Sequence, residues 1–234
     1  MKKLFFCVYL VFLCSSFFAQ TQRFSLQIKT DDKPTAHGFS YWQQIKIASK
    51  DTSFFYHLHT TSPDVIKNLQ TGTYTITVSS LFNHHVSKKI ELTKKTPLVK
   101  FTGLGSFYTK ATAGNLSEKL KLNDTLFIVY NNTKAESTRE KMGITKTKIG
   151  YTVIQYKSIT NEVFQEMGIN EATYKAVIKF ETDGKKANSP KAETAPEAEV
   201  YSVELNKELT TFIVPGKWQG FDNLKAIVLL VEQK

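Results

Sequence analysis

This sequence of 234 residues contains few cysteines and few methionines, and its first 30 residues contain no acidic side chain. Its two cysteines lie within the first 14 residues, and no acidic residue precedes Asp31. Only three methionines are present, so a methionine-rich copper site is unsupported. Hydrophobic residues make up 41% and charged residues 22%, which is ordinary globular usage and excludes wholesale disorder, collagen and a coiled coil. The aromatic content of 12% favours a β-rich protein, because aromatic side chains suit pleated, half-buried surfaces.

Residues 1–19 have the pattern of a secretory signal peptide. Two lysines are followed by an apolar run and then by small residues ending at Ala19. The sixteen residues from Leu4 to Ala19 are fewer than the roughly 20 that a spanning helix needs, so we expect cleavage rather than a membrane anchor. Cleavage after Ala19, with Ser16 as the alternative, resembles exported proteins of the Bacteroidota. A lipoprotein signal fits poorly because large residues precede Cys14. We therefore predict export by the general pathway to the periplasm or outer membrane, with no transmembrane segment after cleavage.

Removal of residues 1–19 changes the composition of the working protein. Both cysteines leave, which excludes disulfides and thiol catalysis, and the loss of two lysines lowers the formal charge of +10 to +8. Residues 20–100 hold 11 basic and 5 acidic side chains, whereas residues 101–234 hold 18 and 16. This excess predicts contact with an anionic surface, a glycan or an acidic partner, or else a simply solvated basic face. Nucleic acid is not expected, since a binding motif is absent and arginines are few.

Residues 20–100 alternate between apolar and polar side chains, which is typical of half-buried strands. Turn residues separate the alternating segments from one another, and one of these turn residues, Gly72, is able to take a positive φ. The pattern predicts one β-sandwich domain over 20–100. Its predicted strands are residues 24–29, 39–48, 53–60, 74–79, 85–93 and 98–102.

One stretch of this domain resembles a known family. Leu69, Gly72, Tyr74, Ile76 and Val78 have the spacing Leu-x-x-Gly-x-Tyr-x-aliphatic-x-Val. This is similar to the corner of carboxypeptidase-regulatory-like, transthyretin-type sandwich modules. The resemblance implies a β-sandwich that serves as a spacer or binding domain, and it implies no particular activity.

Residues 101–234 are predicted to form a second β-sandwich domain, which makes the whole chain all-β. Residues 151–159 and 162–167 read as a hairpin, with a short helix over 161–167 as the alternative. Residues 183–198 are expected to form a mobile surface loop, and 131–146 a second irregular segment. The run 225–231 is apolar on both faces, so we expect the first domain, an irregular segment or a partner protein to cover it. The remaining predicted strands are 125–130, 174–181, 199–205 and 209–214.

Signatures of an enzyme are missing from the sequence. It has no Gly-x-Ser-x-Gly, no His-Glu-x-x-His and no phosphate-binding glycine loop. We therefore expect a protein without catalytic activity and without an obligatory cofactor.

Two kinds of binding site are predicted on the first domain. Alternation along residues 53–59 places Phe55, His57 and His59 on one outer face, where histidines two residues apart could share zinc or copper, with His84 or His85 completing the site. Phe55 could instead join Tyr41 or Trp42 in an exposed aromatic surface of the kind that binds sugars or proteins.

The leading functional hypothesis is a non-enzymatic exported accessory or binding protein of the cell envelope. We expect a periplasmic subunit or plug that contacts an outer-membrane secretion or assembly complex, binding an envelope protein through a sheet face or edge. The alternatives are a module that binds a glycan or small ligand and a histidine-based metal-binding protein.

Overall fold

The fold is described from a computed structural model of the chain. It describes residues 23–33, 40–58, 63–93, 97–132, 139–157, 162–189, 198–216 and 218–229. The predicted signal peptide and His59 lie outside the described residues, as do residues 190–197 of the predicted loop over 183–198.

Two sheets form the first half of the chain, and they share one core. The three-stranded sheet has the order β4-β1-β7 and the four-stranded sheet the order β3-β2-β5-β6. Strands β1 and β7 pair in parallel, and every other pair within these two sheets is antiparallel. The strands are β1 (Phe24–Thr30), β2 (Trp42–Ala48), β3 (Ser53–His57), β4 (Asp64–Leu69), β5 (Gly72–Ser80), β6 (His85–Leu92) and β7 (Leu98–Phe101).

Period-2 alternation explains why these segments form strands. Leu26 and Ile28 of β1 and Ile45 and Ile47 of β2 are fully buried in one cluster between the sheets, and the residues between them face outward. Gly72 has a φ of 151°, so the predicted positive φ is confirmed. All six predicted strands of this half are confirmed in place, and β4 is an additional one.

The second half contains one seven-stranded sheet with the order β12-β11-β10-β9-β13-β14-β8. All neighbours are antiparallel except β14 and β8. The predicted hairpin is confirmed by the pairing of β11 with β12. The strands are β8 (Thr109–Lys110), β9 (Thr125–Asn132), β10 (Arg139–Thr147), β11 (Gly150–Tyr156), β12 (Val163–Ile169), β13 (Glu199–Leu205) and β14 (Glu208–Val214), and a short 3₁₀ helix covers Ser117–Lys119.

Two segments predicted as strands are helices. Helix α1 (Glu171–Ala187) occupies the predicted strand 174–181, and helix α2 (Gly220–Leu229) occupies most of the predicted strand 225–231. Asn170 caps α1 by accepting a hydrogen bond from the Thr173 N–H at 2.9 Å. The buried residues of α1 recur every three or four positions, which is the helical period and not that of a strand.

Both faces of the seven-stranded sheet are covered. One face packs against α1 and α2 through a cluster that includes Val177, Phe180 and Phe221. The opposite face meets Tyr41, Leu81, Phe82 and Tyr108, which connect the strands of the first half to one another or to β8. The expected strand over 225–231, covered by the first half, an irregular segment or a partner, is therefore wrong, because residues 225–229 lie in helix α2, which itself packs on the sheet.

The chain is mostly β-sheet, as predicted. A second sandwich is not shown, because helices take the place of a second sheet. The irregular segment predicted over 131–146 is wrong at both ends, since residues 131 and 132 belong to β9 and β10 begins at residue 139. The loop predicted to begin at 183 is also wrong at its start, because α1 continues to Ala187. Neither helix in the described ranges is long and apolar enough to cross a membrane.

Candidate functional site

The outward side of the four-stranded sheet, here called the open face, carries Phe55, an exposed residue of the predicted site. Phe55 on the edge strand β3 is 60% exposed. It lies directly opposite Lys46 of β2, and the Lys46 Nζ stands 5.4 Å from the centre of the Phe55 ring. The aromatic ring and the ammonium group therefore form one exposed cation–π pair.

A shallow groove of about 600 Å³ runs along the open face. His85 Nδ1 and the Ser79 hydroxyl lie 2.8 Å apart, and burial lowers the pKa of His85, with the nearby positive charges of His84 and Lys141 as smaller causes. Apart from the Phe55 ring, every side chain that lines the groove can form hydrogen bonds. The lining residues are Gln44, Lys46, Phe55, Thr77, Ser79 and His85.

Strand β3 is also an open edge of the sheet. In the part of the chain that the structure describes, β3 pairs only with β2. The Leu58 N–H donates to the Gln43 carbonyl, so alternate residues point their backbone groups toward β2. By the same alternation, Ser53, Phe55 and His57 point their N–H and C=O groups away from the sheet.

The two edge strands of this sheet differ in side-chain chemistry. Strand β6 carries Lys88, Lys89 and Glu91, and such charges discourage pairing with another strand. Strand β3 has the sequence Ser-Phe-Phe-Tyr-His, and Phe54 is 41% exposed beside the more exposed Phe55. Of the two edges, β3 is thus the one whose own residues carry no lysine or glutamate that would discourage pairing.

The predicted aromatic surface is not formed, because Tyr41 and Trp42 do not join Phe55. Trp42 is fully buried in the core of the first half, and its Nε1–H donates to the Leu104 carbonyl at 3.2 Å. Tyr41 lies between the halves of the chain, with its hydroxyl 3.1 Å from that of Thr211. Core packing explains both positions, since the two large rings fill space that water would otherwise occupy.

The described histidines do not converge on one point. His57 and His85 share the open face, but their strands are separated by β2 and β5, a span of about 14 Å. His84 turns to the other side, where its Nε2 lies 2.9 Å from Glu204 Oε1. The described residues contain no group of three or more side chains that could hold a metal ion.

A buried lysine at the contact between the halves was not predicted from the sequence. Lys141 of β10 is 2% exposed, and burial lowers its pKa to about 7. Its Nζ donates to Asn83 Oδ1 at 2.6 Å and lies 4.2 Å from the centre of the Tyr156 ring. Lys141 falls within a segment expected to be irregular, so nothing in the local pattern marked it as buried.

The buried carboxylates have structural partners. Glu181 of α1 accepts hydrogen bonds from the Leu116 and Ser117 N–H groups, the Ser117 hydroxyl and Lys185 Nζ, all within 2.8 Å. Glu204 pairs with His84 and accepts from the Lys207 N–H at 2.6 Å. Glu181 connects α1 to the segment at Leu116 and Ser117, and Glu204 connects the second half to His84 of the first. Both carboxylates thus have structural hydrogen-bond partners, and neither is arranged as a free acid or base.

Comparison of the chain with protein-family models, with curated proteins and with solved structures finds no match. No enzyme family or homologue is thereby identified, and the functional argument rests on the site itself.

Proposed function

We propose that the protein is a non-enzymatic binding protein of the cell envelope, which takes up an extended segment of an envelope protein on strand β3. The single observation that carries the proposal is the edge of β3, which among the described residues pairs only with β2 and exposes Phe54 and Phe55. Export rests on the signal-peptide pattern of residues 1–19. An outer-membrane secretion or assembly complex is the kind of partner we propose.

Strand addition fits the geometry of this edge. The outward N–H and C=O groups of Ser53, Phe55 and His57 would supply main-chain hydrogen bonds to an added strand. Phe55 and the groove beside it would receive alternate side chains of that strand and so provide selectivity. The first half then acts as the binding module, in keeping with the resemblance to carboxypeptidase-regulatory-like domains.

Substitution of His57 tests strand addition directly. His57→Pro removes an outward N–H while the ladder to β2 keeps its hydrogen bonds, and proline is tolerated at such edge positions. We expect the variant to recover roughly tenfold less partner than the wild type in affinity purification from solubilised envelope, because one main-chain hydrogen bond is lost.

His57→Ala is the matched control, because it removes the same imidazole but keeps the N–H. It should recover the partner at the wild-type level. Recovery of the wild-type chain without any envelope protein would contradict the proposal, as would equal partner recovery by His57→Pro and the wild type.

The groove favours a glycan as a second candidate ligand. One exposed ring beside amide, hydroxyl, imidazole and ammonium groups offers both stacking and hydrogen bonding to a sugar. A glycan array with the wild type and Phe55→Ala tests this candidate. Glycan binding that is lost in Phe55→Ala but kept in His57→Pro would favour a glycan as the ligand. Absence of a signal on every glycan would exclude this candidate.

A further inference from the structure

The outward side of the three-stranded sheet, here called the basic face, lies in the other layer of the first half. Alternation places Gln27 and Lys29 of β1, Val65 and Lys67 of β4, and Leu98 and Lys100 of β7 on this side. Val65 is 47% and Leu98 45% exposed, and both stand opposite Gln27. Two aliphatic side chains thus lie among three exposed lysines.

Within the described residues, no acidic side chain balances this charge. Lys29, Lys67 and Lys100 form no ion pair there, and the single acidic residue of the three strands, Asp64, is buried. Asp31 follows β1, but its carboxylate accepts hydrogen bonds from the Gly103 and Leu104 N–H groups at 2.5 and 2.9 Å.

The arrangement of the lysines is unfavourable without a ligand. Lys29 and Lys100 are direct neighbours across the parallel pair β1–β7, and like charges in that position repel. Lys88 adds a further positive charge at this edge, because its Nζ donates to the Lys100 carbonyl. An anion on the basic face would relieve this repulsion.

We infer that the basic face binds the anionic headgroup surface of a membrane. Lysine is the cation that clusters against anionic lipids, whereas it is depleted from protein interfaces, which favour tyrosine, tryptophan and arginine. The described strands of this sheet offer no tyrosine, tryptophan or arginine. Val65 and Leu98 reach the level of the headgroups while the lysines contact their phosphates.

Co-sedimentation of the secreted chain with vesicles tests this inference. We compare vesicles of phosphatidylglycerol and phosphatidylethanolamine with neutral vesicles of phosphatidylcholine. The wild type should bind the anionic vesicles and be released by salt. The triple variant Lys29→Gln, Lys67→Gln, Lys100→Gln should lower the partition coefficient roughly 100-fold, because the contributions of the three lysines multiply.

A second triple variant controls for net charge. Lys121, Lys148 and Lys175 are exposed lysines of the second half, and their replacement by Gln removes the same total charge. This control should retain most of the binding. His57→Pro should retain it fully, so that failure of strand addition at β3 can be distinguished from failure of the membrane contact.

Four outcomes would overturn the inference. The first is absence of wild-type binding to anionic vesicles at low salt, and the second is equal binding to neutral vesicles. The third is an equal loss in both triple variants, which would assign the effect to net charge alone. Binding to polyglutamate without binding to vesicles would identify an acidic polypeptide as the occupant and would also overturn the membrane assignment.

Discussion

The four-stranded sheet and the seven-stranded sheet differ in how many of their faces are covered. The four-stranded sheet packs one face on the core of the first half and leaves its open face to solvent. The seven-stranded sheet has helices on one face and loops of the first half on the other. Covered faces hold side chains whose removal costs stability, whereas an open face can change its side chains with little loss of stability and is therefore available for binding.

The largest effect should come from a residue that lies on the covered side of the four-stranded sheet. Trp42→Ala removes a fully buried ring that packs against Phe107 with centroids 5.0 Å apart, and it leaves the Leu104 carbonyl without its donor. We expect the free energy of unfolding to fall by about 3–5 kcal/mol, measured by urea denaturation. A loss below about 1 kcal/mol would show that Trp42 is not a core residue and would weaken the comparison.

The next largest effect is a pH dependence of stability that comes from Lys141, on the covered face of the seven-stranded sheet. The folded-state pKa of Lys141 is lowered to about 7 from the ordinary value of 10.5. Between these two values the unfolded chain binds more protons than the folded chain, so the contribution of Lys141 to stability rises with pH. The gap in unfolding free energy between wild type and Lys141→Met should therefore move in favour of the wild type by up to about 1.4 kcal/mol per pH unit above pH 7.

Urea midpoints between about pH 7 and pH 9 measure this trend, because titrations common to the wild type and Lys141→Met cancel in the gap. Burial lowers the pKa of His85, so it titrates below the window. Burial raises the pKa of Tyr156, so it titrates above the window. Lys146→Met is the control, because Lys146 lies on the same strand but is only half-buried. A gap that does not change with pH would contradict the buried position of Lys141.

Much of the first half could be predicted from its sequence because each strand has one buried and one exposed side. Alternation then predicts both that the segment is a strand and which of its side chains are buried, as for Ile45 and Ile47 on either side of the exposed Lys46. The same reasoning placed Phe55 on an outer face. Strand β4 was not predicted, because three of its six residues, Asp64, Lys67 and Asn68, are polar and leave too short an apolar alternation.

The second half was harder because runs with two apolar sides have no decisive period. Residues 125–130 and 225–231 gave the same prediction, yet the first is strand β9 and the second begins inside helix α2. Phe221, Leu224 and Val228 show the helical spacing only when residues before 225 are included. The Asn170 cap and the first turn after it were a usable signal for α1.

The candidate site could be predicted only in part because two of its features depend on pairing between distant segments. The exposed aromatic surface predicted to include Tyr41 or Trp42 does not form, because Tyr41 is half-buried against Thr211 and Trp42 is buried with its donor on Leu104. The edge position of β3 depends on strand order, which alternation does not determine. Phe55 was found because its exposure follows from local alternation alone.

The smallest effect on stability should come from Phe55, on the open face of the same sheet that buries Trp42. Phe55→Thr places a β-branched side chain, which suits a strand, and removes an exposed ring and its contact with Lys46. We expect a loss of less than about 1 kcal/mol, which is the size of an exposed cation–π pair. Urea denaturation of Phe55→Thr and Trp42→Ala in parallel compares the loss of unfolding free energy on the two faces of one sheet. If Phe55→Thr destabilised the protein as much as Trp42→Ala, the open face would be part of a packed core, and strand addition at β3 would lose its structural basis.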